Sequence, residues 1–188
     1  MASQPLGLED VPIALVGFMG SGKTTVGRLL AGRLGRGFVD TDAEVARRLG
    51  RTIPSLFAAG EERRFRAEEA AVVAEVVERR PPVVVALGGG AFEDPGSRAL
   101  LLERALVVHL DVAFEDLAGA LAGLAAGRPL LAGRSEAEVR ALYRRRSATY
   151  ALAHVRVEVC YPGVAQTLER VLAALATRPT ARGPAGPA

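Results

Sequence analysis

The chain reads as an α/β protein, a three-layer α/β/α sandwich around a five-stranded parallel sheet. Three observations predict this. Short, continuously apolar runs recur along the sequence, the pattern of strands buried on both faces. Segments with apolar residues at helical spacing separate these runs, so each crossover brings the chain back for a parallel neighbour. Glycine-rich and acidic clusters then fall where the runs end, at Gly17, at Asp40–Asp42 and at Gly88–Gly90. That is the edge at which open α/β sheets collect ligands.

The elements follow in order. Pro12–Val16 is an apolar run ending at Gly17, hence a buried strand. Gly22–Leu34 carries Val26, Leu29, Leu30 and Leu34 at helical spacing, and Gly35 and Gly37 end it. Phe38-Val39 leads a second strand into Asp40-Thr41-Asp42, and Ala43–Leu49 forms a short helix stopped by Gly50. Thr52 is a candidate cap for a short helix over Ile53–Ala59, with Pro54 in its first turn. Glu61–Arg79 is a longer, charged amphipathic helix broken by Pro81-Pro82. Val83–Leu87 is the third strand, Ser97–Arg104 a helix and Ala105–Leu110 the fourth strand. A helix is expected over Ala113–Leu124, a loop over Gly127–Ser135 and a helix over Glu136–Thr149. Val155–Cys160 is the fifth strand, and Val164–Leu175 the last helix.

The chain has 188 residues, 49% of them hydrophobic and 24% charged. That suits a single domain over residues 11–177 with a sizeable core. Residues 1–10 read as a flexible N-terminus, and the Pro-, Gly- and Ala-rich residues 178–188 as a disordered tail. The start of the chain has no basic segment followed by an apolar core, so it is not a signal peptide. No apolar stretch approaches the roughly 20 residues that span a bilayer. The single cysteine, Cys160, forms no intrachain disulfide and sits in an apolar run, which predicts buried strand filler in a reducing compartment. Net charge is +3, but arginines are spread along the chain rather than clustered. A monomeric cytoplasmic protein with small anionic partners, no nucleic acid and no membrane is the expectation.

The most specific motif is Gly17-Phe-Met-Gly20-Ser21-Gly22-Lys23-Thr24, the G-x-x-x-x-G-K-T phosphate-binding loop, followed by Thr25. It lies between a predicted strand and a predicted helix, as its function requires. Its glycines let successive N–H groups turn toward phosphate oxygens, and the helix N-terminus adds positive potential. Lys23 is the only lysine; every other strongly basic side chain is arginine. A compact ammonium threaded between phosphates is the one task here that arginine cannot take over. Lys23 is expected on the β- and γ-phosphates of a nucleoside triphosphate, and the Thr24 hydroxyl on Mg²⁺.

Asp40 and Asp42 sit one residue apart at a strand end. Phosphoryl transfer needs one carboxylate near the metal and one near the attacking hydroxyl. The plainer alternative makes Asp42 the helix cap before Ala43. Gly88-Gly89-Gly90 offers backbone N–H groups at close approach, or an ordinary turn. Arg63, Arg64 and Arg66 share one helix and Arg144, Arg145 and Arg146 another. Composition does not choose among them, although an arginine is suited to clamp a carboxylate. His109 and His154 have no metal-ligand spacing and read as structural.

Taken in order, these elements resemble the shikimate kinase family. The matching residues are Gly17–Thr25 with Val26-Gly27-Arg28, Asp40-Thr41-Asp42, Phe65-Arg66, Leu87-Gly88-Gly89-Gly90-Ala91, Arg128-Pro129-Leu130-Leu131, and Arg146 four residues before Tyr150. The resemblance covers Val11 to Leu175 and implies a P-loop kinase with a lid and a helical substrate-binding region. It implies transfer of the ATP γ-phosphate to the 3-hydroxyl of shikimate, on the route to chorismate and the aromatic amino acids. It casts Asp42 as base, Arg66 and Arg146 as the carboxylate clamp, and Gly88–Gly90 as lining of the substrate site. Arg128 becomes a catalytic lid arginine on the ATP phosphates, Lys23 a catalytic phosphate ligand, and Gly20–Thr25 the nucleotide cradle. Thr24 binds Mg²⁺ with Asp40 nearby. The chain departs from the family at Ala120-Leu121-Ala122, where members often carry an arginine that stacks on adenine.

The alternatives are another small-molecule P-loop kinase, such as a gluconate or nucleoside-monophosphate kinase, and a catalytically inactive module of the same fold. Asp-Thr-Asp with Phe-Arg argues against the first; intact Lys23, Thr24, Asp42 and Arg66 argue against the second. A GTP-binding switch would need an Asn-Lys-x-Asp element, and the chain has no asparagine and no second lysine.

Overall fold

A computed structural model describes residues 8–117 and 135–177. Strands β1 (Ile13–Val16), β2 (Phe38–Asp40), β3 (Val84–Ala86), β4 (Leu106–Asp111) and β5 (Val155–Glu158) alternate with helices α1 (Lys23–Leu34), α2 (Thr41–Leu49), α3 (Ile53–Ala58), α4 (Glu62–Glu78), α5 (Pro95–Arg104), α6 (Glu136–Tyr150) and α7 (Val164–Ala176). Residues 114–117 are also helical. The strands form one sheet in the order β2-β3-β1-β4-β5, and every pairing is parallel.

The three layers follow from the two-residue period of the strands. Ile13 and Leu15 of β1 face one way and pack with Val26 and Leu30 of α1 and Leu168 and Val171 of α7. Ala14 and Val16 face the other way, toward Val72 and Val76 of α4, Leu101 of α5 and Leu142 of α6. All four β1 residues are fully buried. Ile13, Leu15 and Val16 each contribute roughly 1.5–3 kcal/mol relative to exposure, so the central strand is a rigid base for the loop at its carboxyl end.

Local chemistry sets the element ends. Gly22 starts α1 at φ 85° and Gly35 ends it at φ 63°, backbone that suits glycine. Asp94 accepts from Ser97 N at 2.7 Å, so α5 begins at Pro95, two residues before the expected Ser97. Asp40 caps α2 by accepting from Ala43 N at 3.2 Å. This corrects the alternative that made Asp42 the cap: α2 starts at Thr41, and Asp42 lies in its first turn. Two strands are shorter than their apolar runs suggest. β3 stops at Ala86 because Gly88 N leaves the sheet to donate to Thr41 Oγ1 at 2.8 Å. β5 stops at Glu158, and Cys160 N donates to Thr167 Oγ1 at 3.0 Å. Cys160 is therefore half-buried beyond the strand, not buried strand filler.

Arg48 ties α2 to α4. Its guanidinium reaches Glu44 at 2.8 Å, Glu68 at 3.2 Å and both oxygens of Glu75 at 2.8 and 2.6 Å. Most of the expected Gly127–Ser135 lid, Arg128 included, and residues 1–7 and 178–188 lie outside the described residues. Ser135 is described: with Glu138 it forms the capping box of α6.

Candidate active site

A cavity of about 490 Å³ opens at the carboxyl ends of β1, β2 and β3. Gly20, Gly22, Lys23, Thr24 and Thr25 line its phosphate-loop side; Asp40, Asp42, Arg66, Gly89, Gly90 and Arg146 line the other. Thus the structure gathers residues spread over more than 120 positions into one chamber. Ser21 and Gly88, also expected at the site, are not among the residues that line it.

The loop after β1 owes its shape to glycine. Gly17 has φ 147°, and a Cβ there would collide with Leu110 O and lie 2.9 Å from Ser21 Oγ. Ser21 faces inward, 1% exposed, and gives its N–H to Phe18 O at 3.1 Å. Lys23 Nζ arches over the loop to donate to Gly17 O at 2.8 Å and Phe18 O at 3.0 Å. Thr24 Oγ1 donates to Asp40 Oδ2 at 2.7 Å. Asp40 thus serves two neighbours, the α2 cap with one oxygen and Thr24 with the other.

Thr41, between the two aspartates, was given no role by the sequence. It is fully buried, and its hydroxyl accepts from Gly88 N and reaches Ala86 O at 3.5 Å. That bond locks the start of α2 to the end of β3 and brings Asp42 onto the glycine run. A side chain at Gly88 would overlap Asp42 Oδ1 and sit 2.8 Å from Glu69 Oε1. The two carboxylates converge on the one glycine that leaves them room.

Glu69, which lines the cavity, is a second residue that sequence reasoning missed. It is 2% exposed; Oε2 accepts from Arg66 Nη1 at 2.7 Å, and Oε1 is buried with no hydrogen-bond partner. Burial pushes its carboxyl above the usual range, against the pull of Arg66. The signal was present in the pattern. Phe65, Val72, Val73 and Val76 mark the buried stripe of α4, and position 69 falls on it. A glutamate on an apolar stripe needs a reason.

Arg66 extends from α4 over the rings of Phe57 and Phe65, at 5.9 and 5.0 Å from their centroids. Arg146 comes from α6 on the opposite side. It is 5% exposed, and its Nε and Nη1 have no hydrogen-bond partner. A Cβ on Gly89 would stand 3.1 Å from Arg146 Nη1. Of the other arginines considered, Arg63, Arg64, Arg144 and Arg145 are exposed. Ile53, Phe57, Phe65, Met19 and Leu87 add an apolar wall. Cationic forks, carboxylates and one apolar face suit a small anion with both polar and apolar surface beside the glycine-rich loop.

The histidines stay outside. His154 Nδ1 accepts from Val107 N at 3.0 Å. His109 is buried under the loop, and burial lowers its pKa to about 4.

A family model for shikimate kinase matches residues 19–176. The chain belongs to the shikimate kinase family. The shikimate kinase of Thermobifida fusca is 47% identical over 150 residues, 80% of this chain and 82% of that protein. That of Bacillus licheniformis is 34% identical over 165 residues, covering 88% and 93%. Among solved structures, the shikimate kinase of Acinetobacter baumannii in complex with shikimate superposes with a TM-score of 0.79 at 38% identity, covering 88% of this chain and 93% of that one. A gluconokinase from Sinorhizobium meliloti, at 22% identity and a TM-score of 0.50, shares the fold alone. The parallel sheet with its flanking helices is thus the fold of solved shikimate kinases, and gluconate kinase remains a distant neighbour.

Proposed function

We propose that this chain transfers the γ-phosphate of ATP to the 3-hydroxyl of shikimate, giving shikimate 3-phosphate and ADP for aromatic amino acid biosynthesis. The observation that carries the reading is Arg146. A buried guanidinium with two unpartnered nitrogens, in one cavity with Lys23 and Asp42, calls for an anionic second substrate beside the phosphate donor.

Arg66 and Arg146 approach from two helices and hold the carboxylate of the acceptor, a planar anion that matches a planar fork. The apolar wall at Ile53 and Phe57 receives the ring face. Asp42 takes the proton of the attacking hydroxyl, which it also orients. Its place is fixed by the Thr41–Gly88 bond and by the missing Cβ at Gly88. The Gly20–Thr25 segment cradles the triphosphate, and the Lys23 ammonium exchanges its loop carbonyls for phosphate oxygens. Arg128 is assigned to the lid, where it meets the phosphates of ATP.

Magnesium fits the donor set. The Thr24 hydroxyl and Asp40 carboxylate meet at 2.7 Å, and both are hard oxygen donors of the kind that would hold Mg²⁺. No group of three or more His, Cys, Asp or Glu forms a protein-only metal cage among the described residues. When bound, the ion neutralises charge on the β- and γ-phosphate oxygens. We extend the reading to a monomer acting in the cytoplasm on these two small molecules. Among the described residues no helix is long and apolar enough to cross a membrane.

The test is ADP release from MgATP with shikimate, gluconate or a nucleoside monophosphate as acceptor. Shikimate alone should raise the rate by several orders of magnitude over the ATPase background. Equal or greater turnover with another acceptor would overturn the assignment.

A further inference from the structure

Tyr150 lies one helical turn after Arg146 and is 1% exposed, its hydroxyl donating to Gly89 O at 2.8 Å. Its ring stacks on Phe92, with centroids 6.5 Å apart, and tilts against His109 at 5.3 Å. A tyrosine placed this deep for packing alone would cost an unpaired hydroxyl where phenylalanine would cost nothing. The bond also has a directional consequence. Gly89 C=O and Gly90 N–H belong to one peptide unit, and the cis bonds of the described chain lie elsewhere. In a trans peptide these two groups point in opposite directions. Pinning the carbonyl to Tyr150 therefore turns Gly90 N–H away from that hydroxyl, in a peptide whose two glycines both line the cavity. Gly90 itself is crowded by Arg66, whose Nη2 would stand 3.2 Å from a Cβ there. Of the run, Gly88 N is already committed to Thr41, whereas Gly90 N has no acceptor among the described residues. Without a side chain at either position, the Gly89–Gly90 peptide has little steric resistance to flipping. Backbone bonds from Ala91 N to Gly88 O at 3.1 Å and from Glu93 N to Gly90 O at 3.0 Å close the turn around it, but neither uses a group of the Gly89–Gly90 peptide itself.

We propose that Tyr150 is a positioning residue. Its hydroxyl orients the Gly89–Gly90 peptide so that Gly90 N–H is presented to the acceptor's carboxylate between Arg66 and Arg146. This rests on the proposed function for the identity of the acceptor, not for the orientation of the peptide. Burial holds the phenol well above its ordinary pKa, so the donor keeps its proton at neutral pH. α6 thus supplies both a cation, Arg146, and, through Tyr150, a correctly turned backbone donor.

Tyr150→Phe removes one oxygen and keeps the ring stack. It should raise KM for shikimate about five- to tenfold, the value of one neutral hydrogen bond, with KM for ATP within about twofold of wild type. Phe92→Leu is the packing control: it loosens the same ring but keeps the hydroxyl, so it should lower Tm and leave KM for shikimate unchanged. In ¹⁵N–¹H spectra, the Gly90 amide should move downfield as shikimate saturates the wild type. In Tyr150→Phe it should be displaced before any ligand is added and respond less to shikimate. An unchanged KM with a lowered Tm would overturn the proposal, as would equal KM effects in both variants. A wild-type Gly90 amide indifferent to shikimate would also overturn it, and needs no variant to fold. A wild type that fails to phosphorylate shikimate removes the functional reading instead. The ligand-free Gly90 shift then still decides the orientation, and identical shifts in wild type and Tyr150→Phe would overturn it.

Discussion

Replacing Arg146 by methionine separates a binding residue from a structural one by which quantity moves, affinity or stability. The guanidinium is 5% exposed, and its Nε and Nη1 have no partners in the unliganded protein. Bound to a carboxylate, each would make a charge-assisted hydrogen bond worth about 1.5–3 kcal/mol. Losing both costs about 3–6 kcal/mol, or roughly 10²–10⁴ in affinity at about 1.4 kcal/mol per tenfold. Methionine keeps most of the apolar stem, so packing changes little. A structural buried ion pair behaves differently: removing one partner costs about 3–5 kcal/mol of stability. Two unpartnered nitrogens hold no such bonds to lose, and orphan buried donors are themselves unfavourable, which offsets the charge–charge support that Arg146 gives buried Glu69. Arg146→Met should therefore have a Tm close to wild type. Calorimetric titration should give a shikimate Kd raised at least a hundredfold and a MgATP Kd within about twofold. A Tm several degrees lower with an unchanged shikimate Kd would refute the argument and make Arg146 a structural cation.

Three further outcomes are expected. Asp42→Asn should lower kcat by about 10²–10⁴ while MgATP still binds, as measured by steady-state rates and titration; retention of more than about a tenth of kcat would remove Asp42 as the base. An amine-reactive reagent at high pH should modify one side chain, Lys23, with loss of activity and protection by MgATP, read by mass spectrometry of the peptide containing it. Labelling there with full activity would sink the phosphate assignment. Acid should destabilise the protein partly through His109, whose burial lowers its pKa to about 4. Between the ordinary value near 6.5 and that value the unfolded chain binds the extra proton, so stability falls as pH drops through this window, by on the order of 3 kcal/mol for this group. Chemical denaturation of His109→Leu between pH 7 and pH 4 should show a correspondingly flatter loss, and an unchanged pH slope would count against it.

The sequence determined the layers and the phosphate loop because both are local. A strand buried on both faces must be apolar throughout, and a loop wrapping phosphate must carry glycine at set spacings, so Ile13–Val16 and Gly17–Thr24 announce themselves. Position at strand ends also brought forward Asp42 and Gly88–Gly90, whereas the choice of Arg66 and Arg146 among so many arginines came from resemblance to a family rather than from composition. Tertiary structure alone decided the rest. Which aspartate caps α2 depends on the backbone turn at Asp40, and no spacing rule separates it from Asp42. The strand order depends on which helices cross which face, which the runs do not record. Thr41 and Tyr150 act on partners 47 and 61 positions away, and a hydroxyl takes its meaning from what lies opposite it. Arg146 differs from Arg144 and Arg145 only in the side of α6 it occupies, and burial there turns one of three identical neighbours into a cation that requires an anion.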